Sequence, residues 1–310
     1  MPYSLAIRCL SEFLSTAVFI CLGNGVVANE LLAATKGQSM GFGFVSIGFG
    51  MAVGFAATMF GHISSSMNPA LIVAAWVKGS LPFSEIWPLM FSAIAGAFFG
   101  QVLVFLLYLP HYNVVPQLED FETITESVNV LKEHQSDGES ALRLSSHKHS
   151  MASLKNNDKS TKENEIYLAA VEADQAKKLS TCSTRPAIDA PVYNFICEFI
   201  GTFILSFGGS LIDDRLTIDP DTLTTSIYSR GLSPLITSFF IMTLVMVLGG
   251  PTGFSANPAR DLGPRIAHAL LPINGKGPSE WRYSLISNSA VFCGAIVGAL
   301  AYKLFRSTVY

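Results

Sequence analysis

Long apolar stretches alternate with short polar ones along the chain. The long stretches lie near residues 5–28, 39–60, 86–109, 192–212, 232–250 and 283–306. A helix needs about 20 apolar residues to cross roughly 30 Å of hydrocarbon, and each stretch is about that long. Two shorter apolar segments, near 68–78 and 257–268, are too short to cross and are typical of re-entrant half-helices. The pattern therefore predicts an all-α polytopic membrane protein with six transmembrane helices and two half-helices.

Both short segments begin with the same triplet, Asn-Pro-Ala, at Asn68 and at Asn257. Asparagine is a preferred helix N-cap, and proline fits the first helical position because it lacks the N–H that would be unpaired there. Polar, non-helical backbone is tolerated at membrane depth only where it lines a cavity or is buried in protein. We expect two half-helices that start inside the membrane and face a common lumen.

An internal repeat organises these elements. Glu12-Phe-Leu-Ser-Thr in the first stretch matches Glu198-Phe-Ile-Gly-Thr in the fourth, and Asn68 and Asn257 follow these glutamates by 56 and 59 residues. Each half has three spanning segments, an odd number, so the two halves must lie in opposite orientations across the membrane. Inverted repeats with broken helices place the binding or conduction site at the membrane midplane.

The repeat divides the chain into three parts. Residues 1–109 form the first repeat and residues 191–310 the second. Residues 110–190 are a hydrophilic insert with mixed charges, many serines and few aromatic residues, a composition typical of disorder. A Ser-x-x-Glu capping box within it predicts a possible helix over 161–178.

Composition supports a membrane location and excludes several other classes. Charged residues make up 14% of the 310 residues and apolar residues 50%, whereas a soluble domain carries about 25% charge. The net charge of −3 is uninformative about nucleic acid, but the sequence has no basic stripe, so we expect no nucleic-acid partner. The five cysteines form neither a disulfide framework nor a CxxC site. We expect no cofactor, no metal and no catalytic residues, so the chain is not expected to be an enzyme.

The half-loops supply the candidate pore residues. Asn68 and Asn257 are expected at the pore centre, where two positive helix ends would repel cations and protons. The extended segments before the half-helices cannot bond internally, so their carbonyls should form a ladder of acceptors for water and polyols. These carbonyls belong to Ser64, Ser65, Ser66, Gly253, Phe254 and Ser255.

Four charged residues have less obvious roles. Glu12 and Glu198 are intramembrane carboxylates that either relay protons, as in a coupled transporter, or support the half-loops by accepting backbone N–H bonds; their symmetric placement favours support. Arg260 has no counterpart, because Leu71 follows the first Asn-Pro-Ala. We expect Arg260 in the lumen, where it binds oxygen atoms and repels cations. Asp261 is expected to be a structural partner of Arg265 or of a loop amide.

These motifs resemble those of the major intrinsic proteins, the aquaporins, and specifically the aquaglyceroporin branch. Asn-Pro-Ala-Arg-Asp with Arg265 is similar to the glycerol-facilitator form, so Asp261 and Arg265 serve as its signature. By position, the resemblance implies a narrow selectivity filter. Its members are Phe49, Val245, Phe254 and Arg260. Such a filter would place C–H groups against the apolar walls and hydroxyls toward the arginine.

The sequence departs from this pattern in three places. Glycerol channels commonly have glycine or alanine where Val245 stands, so the filter could be narrower. Ser64-Ser65-Ser66-Met67 replaces the usual Gly-Ala-His before the first Asn-Pro-Ala, and Ser287-Asn288 stands where Pro-Leu is usual. The resemblance to a channel is unaffected by all three.

The leading hypothesis is a passive channel for glycerol, water and similar small neutral solutes that excludes ions and protons. One alternative is a water or small-solute channel (urea, ammonia, peroxide) that excludes glycerol because of Val245. Others are a proton-coupled transporter using Glu12 and Glu198, and a structural protein with a vestigial pore. The resemblance implies a homotetramer in the lipid bilayer of the plasma membrane, with cytoplasmic termini and residues 110–190 outside.

Overall fold

The computed structural model describes residues 3–117, 148–216 and 231–309. Within these ranges the chain is almost entirely helical. The helices are α1 (Leu5–Leu31), α2 (Phe42–Phe60), α3 (Pro69–Lys78), α4 (Phe83–Leu107), α5 (Leu109–Tyr112), α6 (Lys148–Ser180), α7 (Pro191–Leu216), α8 (Ser233–Thr252), α9 (Pro258–Leu270) and α10 (Trp281–Val309). In the described part of the chain, six of them are long and apolar enough to cross a membrane: α1, α2, α4, α7, α8 and α10. The predicted six transmembrane helices and two half-helices are confirmed.

The two halves of the molecule pack in the same way. Helix α1 packs against α2 and α4, and its counterpart α7 packs against α8 and α10. The half-helices are exchanged between the halves: α3 contacts α10, whereas α9 contacts α4. Helices α2 and α8 contact each other and close the bundle around its centre. The inverted repeat read from the sequence is thus the packing symmetry of the fold.

Glycines allow the closest helix contacts. A methyl group on Gly100 would lie 2.5 Å from the carbonyl oxygen of Ala17, and one on Gly298 would lie 2.8 Å from that of Phe203. Gly96 and Gly294, one turn earlier on the same helices, also face a backbone carbonyl on α1 and α7. Lipid provides no hydrophobic drive between helices, so such close backbone contact is a main source of helix association in membranes.

The two half-helices meet at their N-terminal ends. Proline occupies the first turn of both α3 and α9, and an asparagine is the N-cap of each. Their C-terminal ends close differently. Gly79, with φ of 85°, caps α3, whereas the ammonium of Lys276 donates to three carbonyls at the end of α9, at 2.6 to 2.8 Å.

The insert is more ordered near its end than its composition suggested. Helix α6 runs from Lys148 to Ser180, beyond both ends of the helix predicted over 161–178. Lys178, Leu179 and residues 181–184 are buried against the other helices. The predicted disorder of residues 118–147 lies outside the described residues.

Candidate pore

Each half-loop turns sharply just before its asparagine. Met67 has φ of 51° and Ala256 has φ of 47°, a left-handed conformation that costs an L-residue about 1–2 kcal/mol. The N–H of Met67 donates to Glu12 at 2.8 Å, and the N–H of Ala256 donates to Glu198 at 3.1 Å. The two carboxylates therefore hold the two strained turns.

The second oxygen of each carboxylate is also occupied. It accepts the N–H of Ser66 at 2.8 Å in the first half-loop and that of Ser255 at 2.9 Å in the second. Glu12 accepts a third bond from the hydroxyl of Ser64 at 2.6 Å. Glu12 and Glu198 are fully buried. Both oxygens of each carboxylate thus accept hydrogen bonds from the half-loop beside it.

The two asparagines link the half-loops to each other. The Oδ1 of Asn68 accepts the N–H of Ala70 at 3.0 Å, and its Nδ2 donates to the carbonyl of Ala256 at 2.9 Å. Asn257 mirrors this: its Oδ1 accepts from Ala259 at 2.9 Å, and its Nδ2 donates across to Met67 at 2.7 Å. An amide nitrogen carries two protons, so each asparagine keeps one N–H beyond its cross-bond.

Two cavities enter the bundle from opposite ends. The larger, of 1120 Å³, is lined by both asparagines and by the half-loops. The smaller, of 470 Å³, lies on the side of the insert and is lined in part by Ser180 and residues 183–187. Among the described residues, four side chains line both cavities. They are Phe49, Val245, Phe254 and Arg260. A solute passing from one cavity to the other must pass between these four.

The four side chains come from three elements and are each almost fully buried. Phe49 lies on α2 and Val245 on α8, while Phe254 and Arg260 flank the start of α9. The guanidinium of Arg260 lies over the Phe49 ring, 5.2 Å from its centroid, close enough for a cation–π contact. The constriction is therefore formed by two aromatic rings and one valine, which are apolar, and by one guanidinium, which is positively charged.

Glycines make room for the two rings. A methyl group on Gly201 would lie 2.6 Å from the ring of Phe254, and one on Gly23 would lie 3.1 Å from the ring of Phe49. Neither glycine is recognisable from the sequence as a pore residue. Their spacing from Glu12 and Glu198 differs between the repeats, so the internal symmetry gave no signal.

The proposed carbonyl ladder is divided between the cavities. Ser65, Ser66 and Ser255 line the larger cavity, and Gly253 the smaller. Ser64 lines neither, and its carbonyl accepts the hydroxyl of Ser11 at 2.6 Å. The structure thus brings five of the six predicted residues to the pore, with Phe254 at the constriction, and leaves Ser64 behind the wall.

Asp261 and Arg265 are joined behind the pore rather than in it. Their side chains form a fully buried ion pair at 2.5 Å, and Asp261 also accepts from Ser284 and Asn288, at 2.5 and 2.8 Å. Arg265 reaches the carbonyl of Thr184 at 2.9 Å. Asn288, one of the departures from the glycerol-channel pattern, therefore adds a donor to Asp261.

The end of the insert forms a strap, residues 178–184, across the pore on the insert side. Lys178 is fully buried, and its ammonium donates to the carbonyls of Val114 and Asn274, both at 2.9 Å. The hydroxyl of Thr181 lies 2.5 Å from that of the buried Tyr112. Nothing in the sequence indicated that the strap would be buried, because its residues are polar and end a hydrophilic insert.

Cys182 brings the strap to the constriction. Its carbonyl accepts from Arg260 at 3.1 Å and from Asn24 at 3.0 Å. Burial raises the pKa of the Cys182 thiol to about 11, so the thiol is uncharged at neutral pH. The position of the filter cation thus depends on a residue that the sequence analysis had placed in a disordered insert.

Comparison with known proteins identifies the family that has this architecture. The family model for major intrinsic proteins matches residues 3–143 and 163–302, which together span most of the chain. The chain belongs to the major intrinsic protein family. Its membership explains the paired half-loops and the internal repeat at once, and with the six spanning helices it makes the protein an integral multi-pass membrane protein.

Relatives within the major intrinsic proteins align over nearly the whole chain. A probable glycerol uptake facilitator protein of Thermotoga maritima is 33% identical, over 95% of this chain and 97% of its own. A glycerol uptake facilitator protein of Streptococcus pneumoniae shows the same identity and coverage. Glycerol uptake facilitator protein 3 of Lactiplantibacillus plantarum is 32% identical, over 98% of this chain and 99% of its own.

A solved structure from the same family has the same fold. The aquaglyceroporin from Plasmodium falciparum superposes with a TM-score of 0.62 and covers 96% of both chains, at 20% sequence identity. At that identity the likeness concerns the fold alone.

Proposed function

We propose that the protein is a passive channel for glycerol, water and similar small neutral solutes, and that it excludes ions and protons. The observation that carries the proposal is the set of four side chains shared by the two cavities, Phe49, Val245, Phe254 and Arg260. Three of them are apolar and one is a cation, which matches the two sides of a polyol.

Glycerol presents a face of C–H groups and a face of hydroxyls. The C–H groups fit against the rings of Phe49 and Phe254, where little polar surface has to be desolvated. The hydroxyls face Arg260 and the carbonyls of the half-loops, which replace the hydrogen bonds lost to water. A small cation would lose its hydration and meet a fixed positive charge, so it is rejected at the same place.

The named relatives support the choice of solute. Three bacterial proteins about one third identical over almost their full lengths carry the name glycerol uptake facilitator. Asp261 and Arg265, the expected signature of the polyol branch, form one buried pair behind the constriction. Both features favour glycerol over water alone as the physiological cargo.

Val245 supports one rival reading, a channel for water, urea or ammonia that is too narrow for glycerol. It is 6% exposed and is the aliphatic member of the four side chains that line both cavities. Swelling of proteoliposomes under glycerol and sorbitol gradients separates the readings. We expect glycerol-driven swelling well above that of empty liposomes and none with sorbitol. Water flow without glycerol flow would overturn the proposal.

Val245→Ala sharpens that experiment, because it removes two methyl groups from the wall without adding a polar atom. Glycerol permeability should rise by a few-fold while cation exclusion is kept, since Arg260 is unchanged. Val247→Ala is the matched control: it lies on the same helix and is 68% exposed on the outer surface. An equal rise in both variants would show that the wall is not at position 245.

The proton-coupled transporter is the rival from another class. Both oxygens of Glu12 and of Glu198 already accept backbone N–H bonds, at 2.8 to 3.1 Å. Protonation of either oxygen weakens the backbone N–H bond that this oxygen accepts, so cycling between the two states would loosen the half-loop that the carboxylate supports. The bonding favours a supporting role over a relay.

The assembly and placement follow from the family resemblance. We propose a homotetramer with one pore in each subunit, in the plasma membrane, with cytoplasmic termini and the insert outside. Cross-linking in native membranes tests the first point. Protease access to residues 130–165 in intact cells tests the second, and cleavage only in permeabilised cells would reverse the orientation.

A further inference from the structure

Two buried amides in the first repeat lie beside the strap and have no part in the function described above. Asn24 on α1 and Gln101 on α4 are both fully buried. The Nδ2 of Asn24 donates to the Oε1 of Gln101 at 2.7 Å. Amide side chains at this depth are costly unless bonded, so their pairing calls for an explanation beyond packing.

The pair closes a ring of hydrogen bonds around Cys182. The Nδ2 of Asn24 uses its second proton for the carbonyl of Cys182, at 3.0 Å. The Nε2 of Gln101 donates to the sulfur of Cys182 at 3.2 Å, which fixes the orientation of the Gln101 amide. The Oδ1 of Asn24 has no hydrogen-bond partner among the described residues, so the two donor bonds set the direction of the amide group. Asn24 and Gln101 therefore hold both the carbonyl and the side chain of one strap residue.

The same carbonyl is the hydrogen-bond acceptor of the filter cation. Arg260 Nη1 lies 3.1 Å from the Cys182 oxygen, and in the described part of the chain no other acceptor is bonded to this guanidinium. No carboxylate in that part forms a close ion pair with it either. A flexible arginine with one acceptor takes its direction from that acceptor. The direction of the Cys182 carbonyl is set in turn by Asn24.

We propose that Asn24 and Gln101 are positioning residues for the selectivity filter, which act on Arg260 through the carbonyl of Cys182. This inference rests on the proposed function of the filter. Asn24 aims one lone pair of the carbonyl so that the other faces Arg260. The guanidinium then lies flat over Phe49 and leaves the passage open. Without the amides, the strap turns and Arg260 loses its fixed place at the wall.

The test measures glycerol and water permeability and proton leak in proteoliposomes of the full chain. Asn24→Leu keeps the size of the side chain and removes both donor bonds. We expect the glycerol-to-water permeability ratio to change by about tenfold, the factor that corresponds to one hydrogen bond of ordinary net strength. Gln101→Leu leaves the bond from Asn24 to Cys182 intact and should change the ratio by a smaller factor.

Ser46→Ala is the matched control. Ser46 is also fully buried, and its hydroxyl donates to Phe42 within its own helix, away from the strap. Its permeability ratio should equal that of the unaltered protein. If the Asn24→Leu protein assembles normally and its glycerol-to-water permeability ratio is unchanged, the proposal is overturned. Asn24→Asp serves where Asn24→Leu does not fold: a carboxylate cannot donate both bonds, so an unchanged ratio there overturns it equally.

A double-mutant cycle separates positioning from plain stabilisation. In an Arg260→Leu background the guanidinium is gone, so Asn24→Leu should cause no further change in proton leak or in the ratio. Additive effects in the two backgrounds would show that Asn24 acts elsewhere. The proposed function fails in a different way, namely when the unaltered protein passes no glycerol at all.

Discussion

The two half-loops are built alike where they support the pore and differ where they face a solute. In each, a buried glutamate holds a left-handed residue ahead of an asparagine that bonds across to the other loop. Three residues after the asparagines, the loops part: Leu71 stands in the first and Arg260 in the second. The comparison indicates that internal symmetry carries the scaffold, whereas a break in symmetry carries selection.

The surroundings of the two loops differ in the same sense. The strap lies only over the second loop, where its carbonyls accept from Arg260 and Arg265. The first loop instead has three consecutive serines, of which Ser65 and Ser66 line the larger cavity. Guanidinium groups need acceptors to hold them in place, and the carbonyls of the strap supply acceptors to both arginines of the second half.

The largest expected effect comes from making the two loops equal at the filter. Arg260→Leu places in the second loop the residue type that the first has at Leu71. A unit charge about 5 Å from a passing cation, at an effective dielectric constant of about 20, contributes roughly 3 kcal/mol. Proton and cation leak should therefore rise by about two orders of magnitude, as measured with a pH-sensitive dye in proteoliposomes. Leu71→Val is the control and should leave the leak unchanged. If the leak of the Arg260→Leu variant equalled that of the unaltered protein, the role of Arg260 would be refuted.

A medium effect is expected from weakening the shared support. Glu12→Gln and Glu198→Gln each replace an acceptor oxygen by an amide that cannot accept, which leaves a buried N–H unpaired. Each should lower the free energy of unfolding by about 1–3 kcal/mol. The two losses should be of similar size, because each carboxylate accepts two backbone N–H bonds and has one hydroxyl beside it, that of Ser64 at Glu12 and that of Thr252 at Glu198.

Thermal unfolding of the purified protein measures both losses, and a much larger loss in one variant than in the other would contradict the similarity of the two half-loops. The opposite pattern would speak for coupled transport. It would consist of normal unfolding temperatures together with loss of uptake driven by a pH gradient.

The smallest effect concerns the far ends of the half-helices. Gly79 ends α3 with φ of 85°, so Gly79→Ala should cost about 1 kcal/mol of stability without changing permeability. Gly25→Ala is the control: it lies within α1 and has no atom within 4 Å of the added methyl. Alanine is preferred over glycine in a helix, so this variant should be no less stable. Equal destabilisation of both variants would show that the turn at Gly79 carries no strain.

The sequence predicted the elements closely, because each spanning helix must reach across the bilayer on its own. The structure moves the ends of the six helices by only a few residues, for example from 192–212 to Pro191–Leu216. The filter residues came from the resemblance and not from periodicity. Their meeting at one constriction depends on contacts between α2, α8 and the second half-loop, which no local pattern encodes.

The strap was beyond prediction for a related reason. Lys178, Thr181 and Cys182 have the composition of a solvated segment. Only their partners in α1, in α4, in and just after α5, and in the loop after α9 make their burial favourable. Asn24 and Gln101 are 77 positions apart, so neither could be recognised as half of a pair.

The chain's order of apolar runs and its two Asn-Pro-Ala boxes were enough to establish a repeated, membrane-spanning helical fold with two half-helices. Bilayer thickness and backbone hydrogen bonding impose that result segment by segment. The place of each polar group within the bundle is a different matter. Buried donors and acceptors are satisfied by partners far away in the chain, so the hold on Arg260 by the strap, and on the strap by two amides, came into view only with the packed structure.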